Sequence, residues 1–308
     1  MSVEGRRLGA DVRPPTGWRS ILCPVDFSDC SREALRCAED IAFRTGGRLS
    51  VLYVNDPMLF VAAATALRWR PRLLRRTQSE LERFVAETIG EDRLPLCRVV
   101  EGKAPAEILK AARRLESDLI VMGTHGLTGF DRLLFGSTTD SVLQRVTVAL
   151  LAVPLSNRST RRGPPRPGHA PAFARVLVPV DLDGAWKQEL NEAADAARLF
   201  GAPLVLVYVV PRTQAPPWLR ENIAAYDRAR LSKARRALER VRADVPLDIR
   251  SACRAVIGKP ADEIAALASA PPRGLVVMAL RGGLRARPGS TTRHVLAHAV
   301  APVLVLPR

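Results

Sequence analysis

Val121-Met122-Gly123-Thr124-His125-Gly126 leads, through Leu127 to Phe135, into Gly136-Ser137-Thr138-Thr139. Before it, Ser117-Asp118-Leu119-Ile120 opens an apolar run that reads as a buried strand. After it, Asp140 to Val146 has helical spacing. A glycine-rich loop therefore leaves the end of a strand and closes on the start of a helix. Gly123 and Gly126 let the backbone approach a ligand with no Cβ in the way. Gly136, Ser137 and Thr138 fall where a helix has free N–H groups and a partial positive charge. The two hydroxyls add donors, and such a place suits phosphates.

The spacing is not that of the two common nucleotide loops. A Walker loop needs a Lys-Ser/Thr pair after its last glycine, which is absent here. A dinucleotide fingerprint needs three close glycines opening a helix after the first strand. The pattern here is Gly, two residues, Gly, nine residues, Gly-Ser. The competing reading is a plain strand-to-helix connection built from flexible residues, and the rest of the chain decides between them.

Working outward, the chain repeats itself. Arg19-Ser20-Ile21-Leu22-Cys23-Pro24-Val25-Asp26 is echoed by Ala174-Arg175-Val176-Leu177-Val178-Pro179-Val180-Asp181. Leu49 to Val54 is echoed by Leu204 to Val209, and Gly102-Lys103-Ala104-Pro105 by Gly258-Lys259-Pro260-Ala261. The ends match too, Val148 to Pro154 against Val300 to Pro307. Four matches in one order mean two copies of one domain. The expected organisation is a flexible tail at 1–18, a first domain at 19–155, a linker at 156–172 and a second domain at 173–308. The linker is rich in Pro, Gly, Ser and Arg without apolar periodicity.

Within the first copy, strands are expected near Ile21–Val25, Leu49–Val54, Leu96–Val100, Leu119–Met122 and Val148–Val153. Helices are expected over Ser31–Thr45, Leu73–Ile89, Pro105–Leu115 and the stretch after the glycine loop. Gly46-Gly47 ends the first helix, and Pro71 is expected to break any helix that reaches it. Met58 to Leu67 is apolar and unassigned, and Arg68 to Arg76 is strongly basic with no evident role. Strands alternating with helices mean a parallel sheet covered on both faces, and continuous apolar strands agree. In such a sheet the ligand sits beyond the carboxyl ends of the strands. Asp26, Val54 and Gly123 all end strands there. Asp26 is read as a ligand carboxylate; the competing role is helix N-cap, for which Ser28 and Asp29 are rivals.

Length allows two domains, and 47% hydrophobic residues allow a core in each. Met1 to Ser20 lacks the apolar core of a signal peptide, and no apolar run approaches a membrane span; the expected location is cytoplasmic. Cys23, Cys30, Cys37, Cys97 and Cys253 form no Cys-x-x-Cys pair and read as reduced thiols. The net charge of +16 raises nucleic acid as a partner. The basic residues are spread out, with no zinc-finger spacing and no aromatic-basic strand motif. They read as a solvated surface, and salt-sensitive anion binding is the alternative function.

Together the glycine pattern, the Pro-Val-Asp triplets and the duplication resemble the universal stress protein family, in a tandem form, over nearly all of the chain outside tail and linker. The resemblance implies an α/β fold of two tandem, doubly wound, five-stranded parallel-sheet domains of Rossmann-like type. It implies ATP as ligand, with Mg²⁺ carried on the phosphates and no direct protein ligand to metal. In the ATP-binding members of that family the strand-one Pro-x-Asp and a strand-two valine hold the nucleoside; these map onto Pro24, Asp26 and Val54. Val100 and Gly102 fall beside the ribose. Met122, Gly123, His125, Gly126, Gly136, Ser137 and Thr138 make up the phosphate loop. It further implies pairing through the last strand, here between the two copies of one chain, with a further homodimer left open. Pro302, lacking a donor, is expected to make that pairing imperfect.

The second copy departs from the pattern. It keeps Pro179, Asp181, Val209, Gly289 and Ser290, but Ala279 replaces the first glycine. Only six residues separate Gly282 from Gly289, and Arg281, Arg285 and Arg287 enter the loop. Either the arginines bind phosphate in a reshaped site, or the copy serves as a structural partner; the second reading is preferred. The motifs of adenylyl-transfer enzymes are missing, and His125 has no partner acid or base fixed by sequence. The expected function is a stress-response, nucleotide-dependent regulatory module, with slow ATP hydrolysis at most.

Overall fold

The computed structural model describes residues 17–56, 70–93, 95–125, 136–155, 173–182, 186–213, 216, 220–271, 274–280, 289–298 and 300–307. The first half runs β1 (Ser20–Val25), α1 (Asp29–Thr45), β2 (Arg48–Asn55), α2 (Arg70–Ile89), β3 (Leu96–Glu101), α3 (Ala104–Arg114), β4 (Leu119–Gly123), α4 (Ser137–Leu143) and β5 (Ala149–Val153). The second runs β6 (Val176–Pro179), α5 (Lys187–Phe200), β7 (Leu204–Pro211), α6 (Arg220–Arg242), β8 (Ser251–Gly258), α7 (Pro260–Ser269), β9 (Leu275–Ala279), α8 (Ser290–His298) and β10 (Val303–Leu306).

The strands join in one ten-stranded sheet, in the order β3-β2-β1-β4-β5-β10-β9-β6-β7-β8. Each half is parallel, with β1 paired to β2 and β4 in the first and β6 to β7 and β9 in the second. The halves meet antiparallel, Val303 opposite Ala152, Leu304 opposite Leu151 and Val305 opposite Leu150. Each half's outer apolar strand thus covers the other's, which removes two edges. Pro302 lies one residue outside β10, and its carbonyl accepts from Val276 N at 3.0 Å. The antiparallel ladder stops next to Pro302, at Val303 opposite Ala152, and Val153, the last residue of β5, lies outside it.

Alternation along the strands builds two cores. Ile21, Cys23 and Val25 face one side, packed under α1, α2, α5 and α6 through Ala34, Leu81, Ala193 and Leu238. Leu22, Ile120 and Val305 face the other, under α3, α4, α7 and α8 through Ile108, Val142, Ile264 and Val295. Both cores run across the seam between the halves. Trp18, assigned to the tail by sequence, is 5% exposed and belongs to the first core.

Two helix boundaries differ from expectation. Pro71 does not break a helix; it is the second residue of α2, where its missing N–H is one of the groups a helix leaves unpaired anyway. Residues after the glycine loop become helical earlier than their spacing implies, from Ser137 rather than Asp140, and the helix ends at Leu143. Gly136 carbonyl accepts from Asp140 N at 2.9 Å, which starts the ladder that early. Residues 58–67 lie outside the described residues. Of the basic stretch Arg68–Arg76, Arg75 and Arg76 are exposed on α2.

At α1 the rivalry for the N-cap is resolved. Ser28 is the cap, its Oγ accepting from Ser31 N at 3.1 Å. Gly46 closes the helix in the left-handed region, φ +64°. Ser28→Ala is expected to lower stability by about 1 kcal/mol, read as a lower urea midpoint at unchanged slope. An unchanged midpoint would mean that water replaces the cap without loss.

All five cysteines are free. Among the described residues, no helix is long and apolar enough to cross a membrane.

Candidate functional site

In the first half the strand order reverses between β1 and β4, and the crevice beyond their carboxyl ends is the place where open α/β sheets take ligands. Asp26 stands at one lip. Its Oδ1 accepts from Ser28 N at 3.1 Å and from the Ser28 hydroxyl. Asp26 is therefore not the cap but the group that orients the cap. Phe27 follows in the left-handed region, φ +64°, unusual for a bulky residue. Its ring packs on Tyr53 at 4.6 Å and edge-on to Phe84 at 5.4 Å, contacts that offset the backbone strain. Burial, and then the Asp26 charge, push the Tyr53 phenol above its ordinary pKa.

The opposite lip is the end of β4. Thr124 is 2% exposed; its N donates to Val153 O at 3.0 Å and its carbonyl accepts from Gly136 N at 2.7 Å. Thr139 Oγ1 donates to Gly123 O at 2.8 Å. These bonds bring residue 124 and residue 136 together. Residues 126–135, Gly126 included, lie outside the described residues. Thr124 Oγ1 and His125 Nδ1 are 2.8 Å apart, which ties the histidine ring to the floor of the loop.

The two described glycines of the motif have packing reasons of their own. A Cβ on Gly123 would stand 2.9 Å from Cys30 Sγ and 3.1 Å from Cys30 C, so glycine lets β4 lie against the first turn of α1. A Cβ on Gly136 would stand 2.9 Å from Thr124 O. Cys30, read from the sequence only as a reduced thiol, donates from Sγ to Val153 O at 3.3 Å. Burial pushes its thiol up from the ordinary range, so it is a packing group, not a nucleophile.

The other expected residues fall as follows. Pro24 is buried in β1 opposite Leu52, and Val54 is half-buried near the end of β2. Gly102, φ +152°, donates its N–H to Asn55 O at 3.0 Å; a Cβ there would meet Glu107 Cγ at 2.6 Å. Met122 turns its side chain into the core, leaving only its backbone for a ligand. Ser137 is exposed and Thr138 half-buried, on the first turn of α4. Pro24, Asp26, Val54, Gly102, Gly123, Ser137 and Thr138 thus share the carboxyl end of the sheet.

Asn55 was missed. It ends β2, is 8% exposed, and its amide Nδ2 is buried without a hydrogen-bond partner. Leaving such a donor unpaired costs about 1–3 kcal/mol. The signal lay in the repeat: Val210 occupies the matching place in the second copy.

In the second half Asp181 is half-buried, Val209 is buried, and Gly289 and Ser290 are exposed at the start of α8. Gly289 O accepts from Arg293 N at 3.1 Å. Arg281, Arg285 and Arg287 lie outside the described residues. Among the described residues no cluster of three or more metal-ligating side chains occurs.

A cavity of about 830 Å³ opens at the other end of the sheet, around Arg48, Arg93 and Leu96. Its wall is self-satisfied, with Arg93 paired to Glu39 at 3.2 Å and stacked over Phe43 at 5.0 Å. Strand carboxyl ends, not this cavity, carry the motif.

The model of the universal stress protein family matches residues 17–154 and again 172–307. Universal stress protein MJ0531 of Methanocaldococcus jannaschii is 32% identical over 139 residues, covering 44% of this chain and 82% of that protein. Universal stress protein A homolog 1 of Coxiella burnetii is 29% identical over 140 residues, covering 44% and 96%. The crystal structure of a universal stress protein from Archaeoglobus fulgidus covers 95% of this chain and 100% of its own, with TM-score 0.62 and 19% identity, a likeness of fold. The chain belongs to the universal stress protein family, as a tandem of two of its domains.

Proposed function

We propose that the first half binds ATP, with Mg²⁺ held on the phosphates, and that the protein acts as a nucleotide-dependent regulatory module of the stress response in the cytoplasm. The observation that carries the reading is Asp26 at the end of β1 facing, across the β1/β4 switch point, the place where Gly136 at the start of α4 meets Thr124 at the end of β4. The loop sequence spaces its glycines as the ATP-binding members of the family do. Asp26 and the ends of β2 and β3 take the nucleoside; Ser137 and Thr138 offer hydroxyls and first-turn N–H groups to the phosphates. The second half, with Ala279 in place of the first glycine, serves as a structural partner across the seam. The proposed purpose is binding rather than turnover.

The test is a thermal melt with and without Mg-ATP. A ligand at a hundred times its Kd adds about 2.7 kcal/mol. For halves of this size that is a rise of roughly 5–10 °C. Absence of any rise at millimolar Mg-ATP would remove the nucleotide reading and move the search to the basic surface.

A further inference from the structure

We infer that Asn55 is a specificity-determining residue of the crevice, its amide donating to a hydrogen-bond acceptor on the nucleobase. The inference rests on the nucleotide reading above. Its own observation is the unpartnered Nδ2 on a side chain only 8% exposed. Buried donors without acceptors are rare in folded proteins and call for a reason.

The fold supplies no such reason. The second half builds the same strand with Val210 at this place, 3% exposed, and pairs it to Ile257 just as Asn55 pairs to Glu101. Valine therefore satisfies the architecture without a polar atom to bury. The amide stands in the half with the intact glycine loop; the valine stands in the half whose loop is altered.

Position identifies the part of the ligand. Across the first half the strands run β2-β1-β4. The glycine motif begins at the end of β4, and β2 lies two strands away, about 10 Å at ordinary strand spacing. A nucleotide with its phosphates over β4 and its sugar near Asp26 brings its base to the end of β2. Asn55 shares a face with Tyr53 by strand alternation, beside the Phe27–Tyr53 aromatic pair at 4.6 Å. That setting puts one amide donor beside packed aromatic rings, which suits a base presenting a ring nitrogen or carbonyl oxygen. Adenine offers N3 and N7 as such acceptors.

The experiment uses the full chain and Asn55→Val, the substitution the second half already carries. Mg-ATP and inorganic tripolyphosphate are titrated calorimetrically against both proteins. The valine variant should lose about tenfold in ATP affinity, tripolyphosphate binding should be unchanged, and the free variant should melt no lower than wild type. Equal ATP affinity in the two proteins would overturn the role of Asn55 and leave ATP binding standing. A parallel loss for tripolyphosphate would overturn the assignment to the base. If the wild type binds no ATP, the nucleotide reading fails and this inference with it. Should the valine variant not fold, Asn55→Ala, which removes the amide without adding bulk, is read by the same outcomes.

Discussion

Gly136→Asp is expected to abolish the ATP-dependent rise in melting temperature in a variant that folds but melts below wild type. Gly136 is the N-cap of α4, with φ −56°, which any residue adopts. Aspartate is among the best caps, and its carboxylate would accept from first-turn N–H groups. Against that gain, the new Cβ starts 2.9 Å from the backbone carbonyl of Thr124, closer than side chains stand, so the turn itself must shift. The clash outweighs the cap, so the free variant melts below wild type, and its fold is checked by circular dichroism before binding is read.

Binding has no such compensation. The carboxylate occupies the N–H groups that phosphate would use and sets a negative charge beside a polyanion. At about 4 Å one such pair is worth roughly 1 kcal/mol in water and about 4 kcal/mol near a protein surface. A loss of a hundredfold or more in affinity follows, since each tenfold corresponds to about 1.4 kcal/mol. Gly289→Asp is the control. Gly289 is exposed and a Cβ there meets nothing within 4 Å, so the fold is indifferent to the change. The ATP response should survive Gly289→Asp and vanish in Gly136→Asp. The reverse pattern would put the nucleotide in the second half; survival in both would take the α4 start out of the site.

How far the sequence carried this reading depended on what kind of signal each feature leaves. Strands buried on both faces are unbroken apolar runs, so β1, β2, β4 and β5 were legible, and the repeat made the second half legible by comparison. Pairing of β5 with β10 came from the family resemblance, and two apolar last strands agreed with it. Helix ends were harder. Pro71 has opposite meanings in the first turn and in the middle of a helix, and composition alone does not say where the first turn falls. The start of α4 depended on Gly136 closing onto Thr124, a contact between residues separated by the whole loop. Glycine itself was ambiguous: Gly123 and Gly136 are explained by Cys30 and Thr124 O, neighbours that only the fold supplies. Asn55 was invisible for a related reason. A polar residue at the end of an apolar strand looks like the first residue of a loop, and only burial shows that its amide is enclosed.

Leu304→Asp is expected to cost more than 5 kcal/mol and to separate or unfold the two halves. Leu304 is fully buried and sits opposite Leu151, itself 1% exposed, at the centre of the antiparallel seam. Removing the leucine side chain alone costs about 2–5 kcal/mol in a close-packed core. An unpaired carboxylate in the same place adds a desolvation penalty of several kcal/mol, or a bound proton in its stead. The sum rivals the whole stability of a domain, about 5–15 kcal/mol. Beside the shared cores, the polar contacts across the seam among the described residues are weak: Arg293 approaches Asp140 at 3.8 Å with both side chains well exposed, and Arg44 reaches Leu199 O at 3.3 Å. Exposed pairs of this kind are worth about 0–1 kcal/mol and do not hold two domains together. Leu247→Asp is the matched control, the same chemical change at a leucine that is fully exposed. The measurement is the urea midpoint together with limited proteolysis of the 156–172 stretch. Leu304→Asp should drop the midpoint steeply and yield separable fragments after cleavage, whereas Leu247→Asp should do neither. If both variants unfold at the wild-type midpoint, β5 and β10 are not paired in solution. The outer strand of each half would then be an open apolar edge, and a second chain, not the second half, would be the partner that covers it.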